Sequence, residues 1–355
     1  MPRQFLLGAL LALLVGRASG TAAEIPPADT AQLRTGVVPA GTRTGDTLAT
    51  HRRTPAASAG GLEAAADTLE LRLRSTQTFG EAAGEHGALA EPSGVASDAF
   101  GRVYVTDAAQ HRLVRFDGRG TWLGEAGALG SGPGDLRRPW GVTPVGSLGI
   151  AVLDRENRRI VLYDLFGRLA GVLTDLAALE DQLGRVDPVA LSADRGGALY
   201  VADADRDRVL VLDFSGRYVR TLGGFGTAGG SFRGLAGLGA GPRGELVASE
   251  RTGARVQRLD AGGNPLAAWP FPAAAGRGTL PVAVDDSARV AVADEASGRV
   301  WLFGRGGRLI AARSGLAGPR ALAFAPDGSL LVAESAAGRV RRFVLEPAGT
   351  TAPGR

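Results

Sequence analysis

The stretch from Pro92 to Gly124 sets the pattern for most of the chain. It contains three short runs that are rich in β-branched, aromatic and small residues: Pro92–Ala96 (PSGVA), Gly101–Asp107 (GRVYVTD) and His111–Gly118 (HRLVRFDG). Turn-forming residues separate the runs, so each is predicted to be a strand of an antiparallel meander rather than part of a helix. An acid ends the second run, and an arginine follows five residues later, at Asp107 and Arg112.

This spacing of acid and arginine recurs through the rest of the chain. Successive acids are 40 to 49 residues apart, a period typical of radial arrays and solenoids. A proline 13 to 15 residues before the acid keeps the same phase in five units, and Gly234 stands near this place in the fourth unit. The six acid–arginine pairs are Asp107–Arg112, Asp154–Arg159, Asp203–Arg208, Glu250–Arg255, Asp294–Arg299 and Glu334–Arg339.

The repeat predicts an all-β fold over residues 67–346, a six-bladed β-propeller whose blades are four-stranded antiparallel sheets. The sixth unit stops after three strands, at Leu345. The alternating segment Leu69–Gly80 supplies a further strand, so we expect an N-terminal strand to close the ring and remove the exposed sheet edges. Because the acid–arginine pair is present in every unit, we interpret it as a structural pairing within bidentate reach across a tight turn, not as a ligand site.

The two ends of the chain carry different signals. Arg3, the apolar run Phe5–Val15 and the small residues that follow predict an export signal at residues 1–20. The apolar run is shorter than the roughly 20 residues that a spanning helix needs, so we expect no transmembrane span after signal removal. Residues 21–66 predict a flexible low-complexity leader, and residues 347–355 predict a disordered tail. The chain is therefore expected to be periplasmic or secreted.

Composition restricts the partners that the protein can have. The formal net charge is +4 with a sequence pI near 10.2, and all 40 basic residues are arginine. Charges of both signs are interspersed and aromatic residues make up 6% of the chain, so we expect a mixed solvated surface and no nucleic-acid partner. Cysteine is absent, which excludes disulfides and thiolate metal sites. We expect a monomer without a cofactor.

The run Gly101–Asp107 followed by Gln110–Leu113 (QHRL) resembles the NHL repeat family. In that family a Gly-x-apolar-Tyr-Val-small-Asp strand leads to an Asn-His-Arg-Leu element. The resemblance covers residues 67–346; the first three units match best, and the last three keep only the acid and the arginine. It implies a β-propeller, usually six-bladed, with a common role in binding proteins or RNA. Some relatives are enzymes, such as amidoglycolate lyases and, more distantly, calcium-dependent lactonases.

Catalytic and metal-binding signals are weak. The three histidines, His51, His86 and His111, are scattered and do not form the cluster that zinc or a histidine-dependent lyase needs. No Gly-x-Ser-x-Gly motif accompanies them. We therefore assign no catalytic residue and no metal ligand.

The residues at the starts of the inner strands indicate which ligand charge the channel mouth favours. Glu91 and Asp187 are the acids there, and Arg138, Arg233 and Arg320 share the mouth with them. A calcium site needs several oxygen ligands, so this composition favours an anionic ligand over a cation and does not meet the lactonase pattern.

Topology predicts one preferred face. Four antiparallel strands per blade place the insertions between blades and the acid–arginine turns on the same side, which we call the loop face; the opposite side, with short turns only, is the turn face. Long and dissimilar loops are where binding usually occurs. The candidate ligand-binding residues are Arg138, Trp140, Arg158, Asp187, Asp205, Arg206, Arg233 and Arg320.

These observations leave three functions open. The first is a non-catalytic exported scaffold that binds an envelope or extracellular protein, peptide or glycan through the loop face. The second is a hydrolase or lyase at the channel mouth that acts on a small anionic substrate, as the distant lactonase resemblance implies. The third is a structural envelope protein tethered by its leader. We expect binding rather than catalysis.

Overall fold

The computed structural model describes residues 69–81, 87–272 and 278–348. The chain divides into two units, Met1–Thr54 and Pro55–Arg355, and every described residue belongs to the second. The predicted export signal and leader, the last seven residues, His51 and His86 lie outside the described residues. No helix in the described ranges is long and apolar enough to cross a membrane.

The described strands form six four-stranded antiparallel sheets, which confirms the predicted fold class of a six-bladed, all-β propeller. Blade 1 contains β2 (Pro92–Ser97), β3 (Val103–Asp107), β4 (Arg112–Phe116) and β5 (Trp122–Ala126). Blade 2 contains β6 (Pro139–Val145), β7 (Gly149–Asp154), β8 (Arg159–Asp164) and β9 (Leu169–Asp175). Blade 3 contains β10 (Pro188–Ala193), β11 (Leu199–Asp203), β12 (Arg208–Leu212) and β13 (Tyr218–Gly223).

The second half of the ring repeats this order. Blade 4 contains β14 (Leu235–Ala240), β15 (Leu246–Glu250), β16 (Arg255–Leu259) and β17 (Pro265–Pro270). Blade 5 contains β18 (Val282–Val284), β19 (Val290–Asp294), β20 (Arg299–Phe303) and β21 (Leu309–Arg313). Blade 6 contains β22 (Pro319–Phe324), β23 (Leu330–Glu334), β24 (Arg339–Pro347) and β1 (Leu71–Phe79). Short helical turns occur at Glu180–Leu183 and Ser335–Ala337.

Strand β1 supplies the outer strand of blade 6. It runs antiparallel to β24, with Leu73 opposite Leu345 and Phe79 opposite Val340. Strand β24 extends to Pro347, one residue beyond the predicted end of the propeller. The pairing joins the two ends of the described chain within one sheet.

Apolar side chains between neighbouring blades hold the ring together. Each of six clusters joins one blade to the next; Tyr104 of blade 1, for example, packs with Ile150 and Tyr163 of blade 2. The last interface joins blade 6 to blade 1 through Phe79 and Phe116, whose ring centroids are 5.0 Å apart. The second strand of each blade is buried on both faces, which explains why these strands are continuous apolar runs ending in one acid.

The turn between the second and third strands has the same backbone in all six blades. The residue just before the repeat arginine adopts a left-handed conformation, with φ between 48° and 64°. Polar side chains at this position reach the next blade: the His111 Nδ1 accepts the Arg138 main-chain N–H at 3.0 Å, and the Asp207 Oδ1 accepts that of Leu235 at 2.7 Å. The residues at this position are His111, Arg158, Asp207, Ala254, Gly298 and Gly338.

Deleting residues 67–80 should abolish cooperative unfolding or cause aggregation, because it leaves β24 as an exposed edge and uncovers part of the interface between blades 6 and 1. Thermal unfolding monitored by circular dichroism, together with light scattering, measures both effects. A truncated protein that unfolds as sharply, and at the same temperature, as the full chain would show that β1 is dispensable.

Candidate functional site

The acid–arginine pairs lie in the loop-face turns, and their carboxylates are fully buried. In blades 2 and 3 the arginine Nε lies 2.8 Å (Arg159–Asp154) and 2.7 Å (Arg208–Asp203) from the acid. The corresponding Nε distance is 2.6 Å in blades 4 and 6, and in blade 1 a terminal nitrogen lies 3.7 Å from its acid. In blade 5 Asp294 is opposite Arg299 in register and also forms an ion pair with Arg251 at 3.3 Å.

Both partners of the pair also bind the loop that enters their own blade. In blade 2 the Arg137 main-chain N–H donates to Asp154 at 2.7 Å, while Arg159 donates to the carbonyls of Gly132 at 2.7 Å and Asp135 at 2.8 Å. Blades 1, 3 and 4 repeat this arrangement. In blade 2 the arginine Nε therefore binds the acid while a terminal nitrogen binds the loop, so the arginine does not make the bidentate contact that the sequence suggested. In blades 1 to 4 the pair therefore fixes the entry of the inner strand.

Arg208→Ala should lower the free energy of unfolding by roughly 1–3 kcal/mol, because it leaves the buried Asp203 carboxylate without its guanidinium. Chemical denaturation measures this change. Arg206→Ala is the matched control, since Arg206 is 54% exposed on the same turn and should change stability by less than about 0.5 kcal/mol. Equal losses in the two variants would contradict a structural role for the pair.

Ion pairs join the blades around the channel mouth on the loop face. Glu91 of blade 1 binds both Arg138 of blade 2, at 2.9 Å, and Arg320 of blade 6. The Arg320 Nε donates to Glu295 of blade 5 at 2.8 Å. Burial acts to lower the pKa of Arg320, but hydrogen bonds to Glu295 and Glu91 outweigh it and raise that pKa. The mouth is therefore a fixed network of charges.

Trp140 lies beside this network. The guanidinium carbons of Arg155 and Arg320 lie 4.8 Å and 5.3 Å from its ring centroid, within the range of cation–π interactions. Arg155 also donates to Asp187 of blade 3 at 2.8 Å. The Trp140 backbone is also fixed, because its carbonyl accepts a hydrogen bond from the Thr106 hydroxyl at 2.7 Å. The indole is thus held between an arginine of its own blade and one of blade 6, while blade 1 fixes its backbone.

The residue that follows each repeat acid differs between blades, and where it is charged it binds residues around the mouth. It is small in blades 1, 3 and 6 and charged in blades 2, 4 and 5, at Arg155, Arg251 and Glu295. Arg155 binds Asp187, Arg251 donates to the Thr279 carbonyl at 3.2 Å, and Glu295 binds Arg320. Sequence reasoning did not select Arg251 or Glu295, although this change between small and charged residues in the repeat register would have revealed both.

A groove of about 270 Å³ opens between blades 2 and 3 beside the mouth. Arginines outnumber acids in its lining, and Arg185, which is exposed, has no ion-pair partner among the residues that the structure describes. The cavity in the channel beneath the mouth has a much smaller volume, about 70 Å³. The groove is lined by Arg138, Trp140, Arg155, Glu156, Arg158, Arg185, Val186, Asp187 and Pro188.

The groove brings together four of the eight predicted site residues, namely Arg138, Trp140, Arg158 and Asp187. Arg320 lies next to it, against the Trp140 ring. The other three occupy different places.

Asp205 and Arg206 lie on the turn of blade 3, 4.0 Å apart, and do not line the groove. Arg233 stands at the entry of blade 4, where its main-chain N–H donates to Glu250 at 2.8 Å. It does not line the groove either.

Three of the four exposed phenylalanines in the described residues lie on the turn face, away from the predicted loop-face site. Phe100, Phe166 and Phe214 are 72%, 64% and 74% exposed, and all three lie on turn-face turns of blades 1 to 3. The Arg102 guanidinium carbon lies 5.2 Å from the Phe100 ring centroid and 5.8 Å from that of Phe166. Phe225, which is 78% exposed, lies instead in the insertion before blade 4, on the loop face. Exposed phenylalanines therefore occur on both faces, while Trp140 and arginines line the groove.

The described residues contain no group of three or more histidine, cysteine, aspartate or glutamate side chains that could hold a metal ion. His111, the histidine within the described ranges, has its Nδ1 bonded to a main-chain N–H and does not line the groove. The groove and mouth therefore provide charged and aromatic recognition groups.

The fold and groove define a six-bladed propeller with a basic loop-face site, and solved structures share this fold. The streptogramin B lyase structure matches with a TM-score of 0.58 and 13% identity, covering 78% of this chain and 98% of that chain. Virginiamycin B lyase from Staphylococcus aureus gives 0.53 and 13%, covering 78% and 99%. Hydrazine synthase from Kuenenia stuttgartiensis gives 0.50 and 13%, covering 75% and 98%.

No protein-family model matches the chain, and no curated protein matches it. The resemblance to NHL repeats therefore stays a prediction. At these identities the solved structures show the fold alone.

Proposed function

We propose that this chain is a non-catalytic exported binding scaffold, of NHL-repeat type, that engages a protein, peptide or glycan through its loop face. The observation that carries the proposal is the groove between blades 2 and 3, where Trp140 lies among Arg138, Arg155, Arg158 and Arg185. Tryptophan and arginine are the residue types that contribute most to binding energy at interfaces. The narrow channel below offers too little room for a typical small-molecule substrate.

Backbone strain at Arg138 supports a binding role for its side chain. Arg138 has a φ of 46°, a left-handed conformation that costs roughly 1–2 kcal/mol for residues other than glycine. At the same place in blades 4 and 6 the chain has Gly234 and Gly318, with φ of 69° and 64°. Blade 2 retains a long cation where glycine would fit without strain, and strained positions cluster at ligand sites.

The charge of the groove favours an anionic group on the ligand. Arg155 and Arg138 are already paired with Asp187 and Glu91, whereas Arg185 is exposed and available. Arginine matches the planar shape of a carboxylate, so an acidic side chain of a peptide or an acidic sugar fits this position. We place the acid of the ligand at Arg185 and its apolar part against Trp140.

A second candidate is a lyase or hydrolase that acts on a small anionic substrate. It is favoured by the structural neighbours, one of which is named streptogramin B lyase and another virginiamycin B lyase. Another neighbour, with a TM-score of 0.50, is a catalytically inactive histidine-to-alanine variant of virginiamycin B lyase with quinupristin. No histidine lines the groove within the described residues. This difference makes the scaffold the first choice.

Export to the periplasm or outside rests on the basic start and the short apolar run at residues 1–20. Recovery from the periplasm or medium of a protein that begins at Thr21 or Glu24, as shown by N-terminal sequencing, would support it.

Trp140→Ala combined with Arg158→Ala should weaken binding of the envelope partner tenfold or more, equivalent to about 1.4 kcal/mol, because both side chains line the groove. The partner is first captured with the propeller from envelope extract and identified by mass spectrometry, and its affinity is then measured by calorimetry. Because the Trp140 indole packs against the core between blades 2 and 3, the affinity of the double variant is measured at a temperature below its own unfolding transition.

Arg119→Ala combined with Arg305→Ala is the control, because both arginines lie on turn-face turns. It should leave the affinity unchanged. Weaker binding in the control but not in the groove variant would indicate that the binding site is on the turn face. Hydrolysis or elimination of a small lactone or ester by the purified protein would contradict the scaffold proposal and support the enzyme.

A further inference from the structure

A second cavity, of about 500 Å³, opens at the turn-face end of the central channel. It lies within the size range of small-molecule sites, unlike the channel itself. The turns between the first and second strands of five blades form its rim, and the ends of the inner strands form its walls. The cavity is lined by Ser97, Asp98, Ala99, Thr143, Pro144, Gly146, Ala193, Asp194, Arg195, Val284, Asp285, Asp286, Ser287, Arg289, Phe324, Ala325, Pro326 and Gly328.

One ion pair spans this rim between blades that are not neighbours. Arg195 of blade 3 donates to the Oδ1 of Asp286 in blade 5 at 2.6 Å. The two side chains are 68% and 83% exposed, so the pair contributes little to stability. Because an exposed pair opens at low cost, each of its charges is accessible to a ligand of opposite charge.

The other acids of the rim are committed to their own turns. The Asp98 carboxylate accepts the Phe100 main-chain N–H at 2.9 Å and the Arg102 Nε at 2.7 Å. Asp285 accepts the Nε of Arg289.

Asp194 accepts the Tyr200 hydroxyl at 2.9 Å. Burial and this hydrogen bond raise the pKa of Tyr200 to about 12, so Tyr200 remains a donor. Arg195 and Asp286 are therefore the charges at this rim that do not maintain a turn.

The walls of the cavity are suited to an apolar group. Pro144, Val284, Phe324 and Pro326 come from blades 2, 5 and 6 and surround the space below the ion pair. Hydroxyls at Ser97, Thr143 and Ser287 add hydrogen-bonding capacity. The cavity thus combines one cation and one anion at its rim with a partly apolar interior.

We propose that this cavity is a binding site for small zwitterions of the amino-acid class, which carry a carboxylate, an ammonium and an apolar side group. The ligand carboxylate pairs with the Arg195 guanidinium, the ammonium pairs with the Asp286 carboxylate, and the side group enters the cavity between Pro144 and Phe324. Binding exchanges one exposed ion pair for two that the ligand partly covers. The site is on the face opposite the groove and shares no lining residue with it, so a test of this site does not depend on the proposed loop-face function.

Calorimetry with three matched probes tests the site: L-phenylalanine, 3-phenylpropionate, which lacks the ammonium, and 2-phenylethylamine, which lacks the carboxylate. We expect L-phenylalanine to bind with a Kd of about 1 mM or tighter, and each single-charge probe to bind about tenfold more weakly or worse. Arg195→Gln and Asp286→Asn should each weaken L-phenylalanine binding about tenfold or more, with unfolding temperatures unchanged, because both side chains are exposed.

Two further variants give the test its controls. The charge-swapped protein, Arg195→Asp with Asp286→Arg, restores one cation and one anion at the rim and should bind L-phenylalanine within about threefold of the parent protein. Arg243→Gln, at an exposed turn-face arginine of blade 4 outside the cavity, should bind unchanged. The proposal is overturned if the parent protein binds no probe, if 3-phenylpropionate binds as tightly as L-phenylalanine, if either single variant binds normally, or if the charge-swapped protein loses binding.

Discussion

The contact between a buried acid at the end of each second strand and the arginine that begins the third strand is the constraint on which the propeller depends. In blades 1 to 4 the carboxylate accepts a main-chain N–H from the incoming loop, and the arginine donates to carbonyls of the same loop. Loss of either partner leaves a buried charge unpaired and frees the loop. Because that loop delivers the inner strand, the pair also fixes the wall of the channel.

The proposed binding groove lies where the repeat units differ from one another. Every blade has the acid and the arginine, but the residue after the acid is charged only in blades 2, 4 and 5. From these positions Arg155, Arg251 and Glu295 bind residues around the mouth. The residue before the inner strand is Gly234 in blade 4 and Arg138 in blade 2, with left-handed backbone in both. The loop-face groove is therefore built from substitutions at positions that the scaffold already holds rigid, which is how a site is pre-organised.

The fold could be predicted because it rests on local and periodic signals. The period of the acids, the strand runs and the missing strand of the last unit are all visible along the chain. The contacts of the mouth join residues far apart in sequence, such as Glu91 with Arg320, and nothing local specifies them. For the same reason Arg233 was grouped with the groove residues, whereas its main-chain N–H serves the entry of blade 4. The turn-face cavity was not foreseen because Arg195 and Asp286, in separate blades, each resemble an ordinary turn residue.

Native-state hydrogen exchange tests most directly whether the acid–arginine pairs of blades 1 to 4 fix their own inner strands. The amides of Arg137 and Asp187, which donate to the acids of blades 2 and 3, should exchange as slowly as amides in the neighbouring buried strands. In Arg159→Ala the amide of Arg137 should lose protection while that of Asp187 keeps it. Rapid exchange at both amides in the parent protein, or equal loss of protection at both in the variant, would contradict the account.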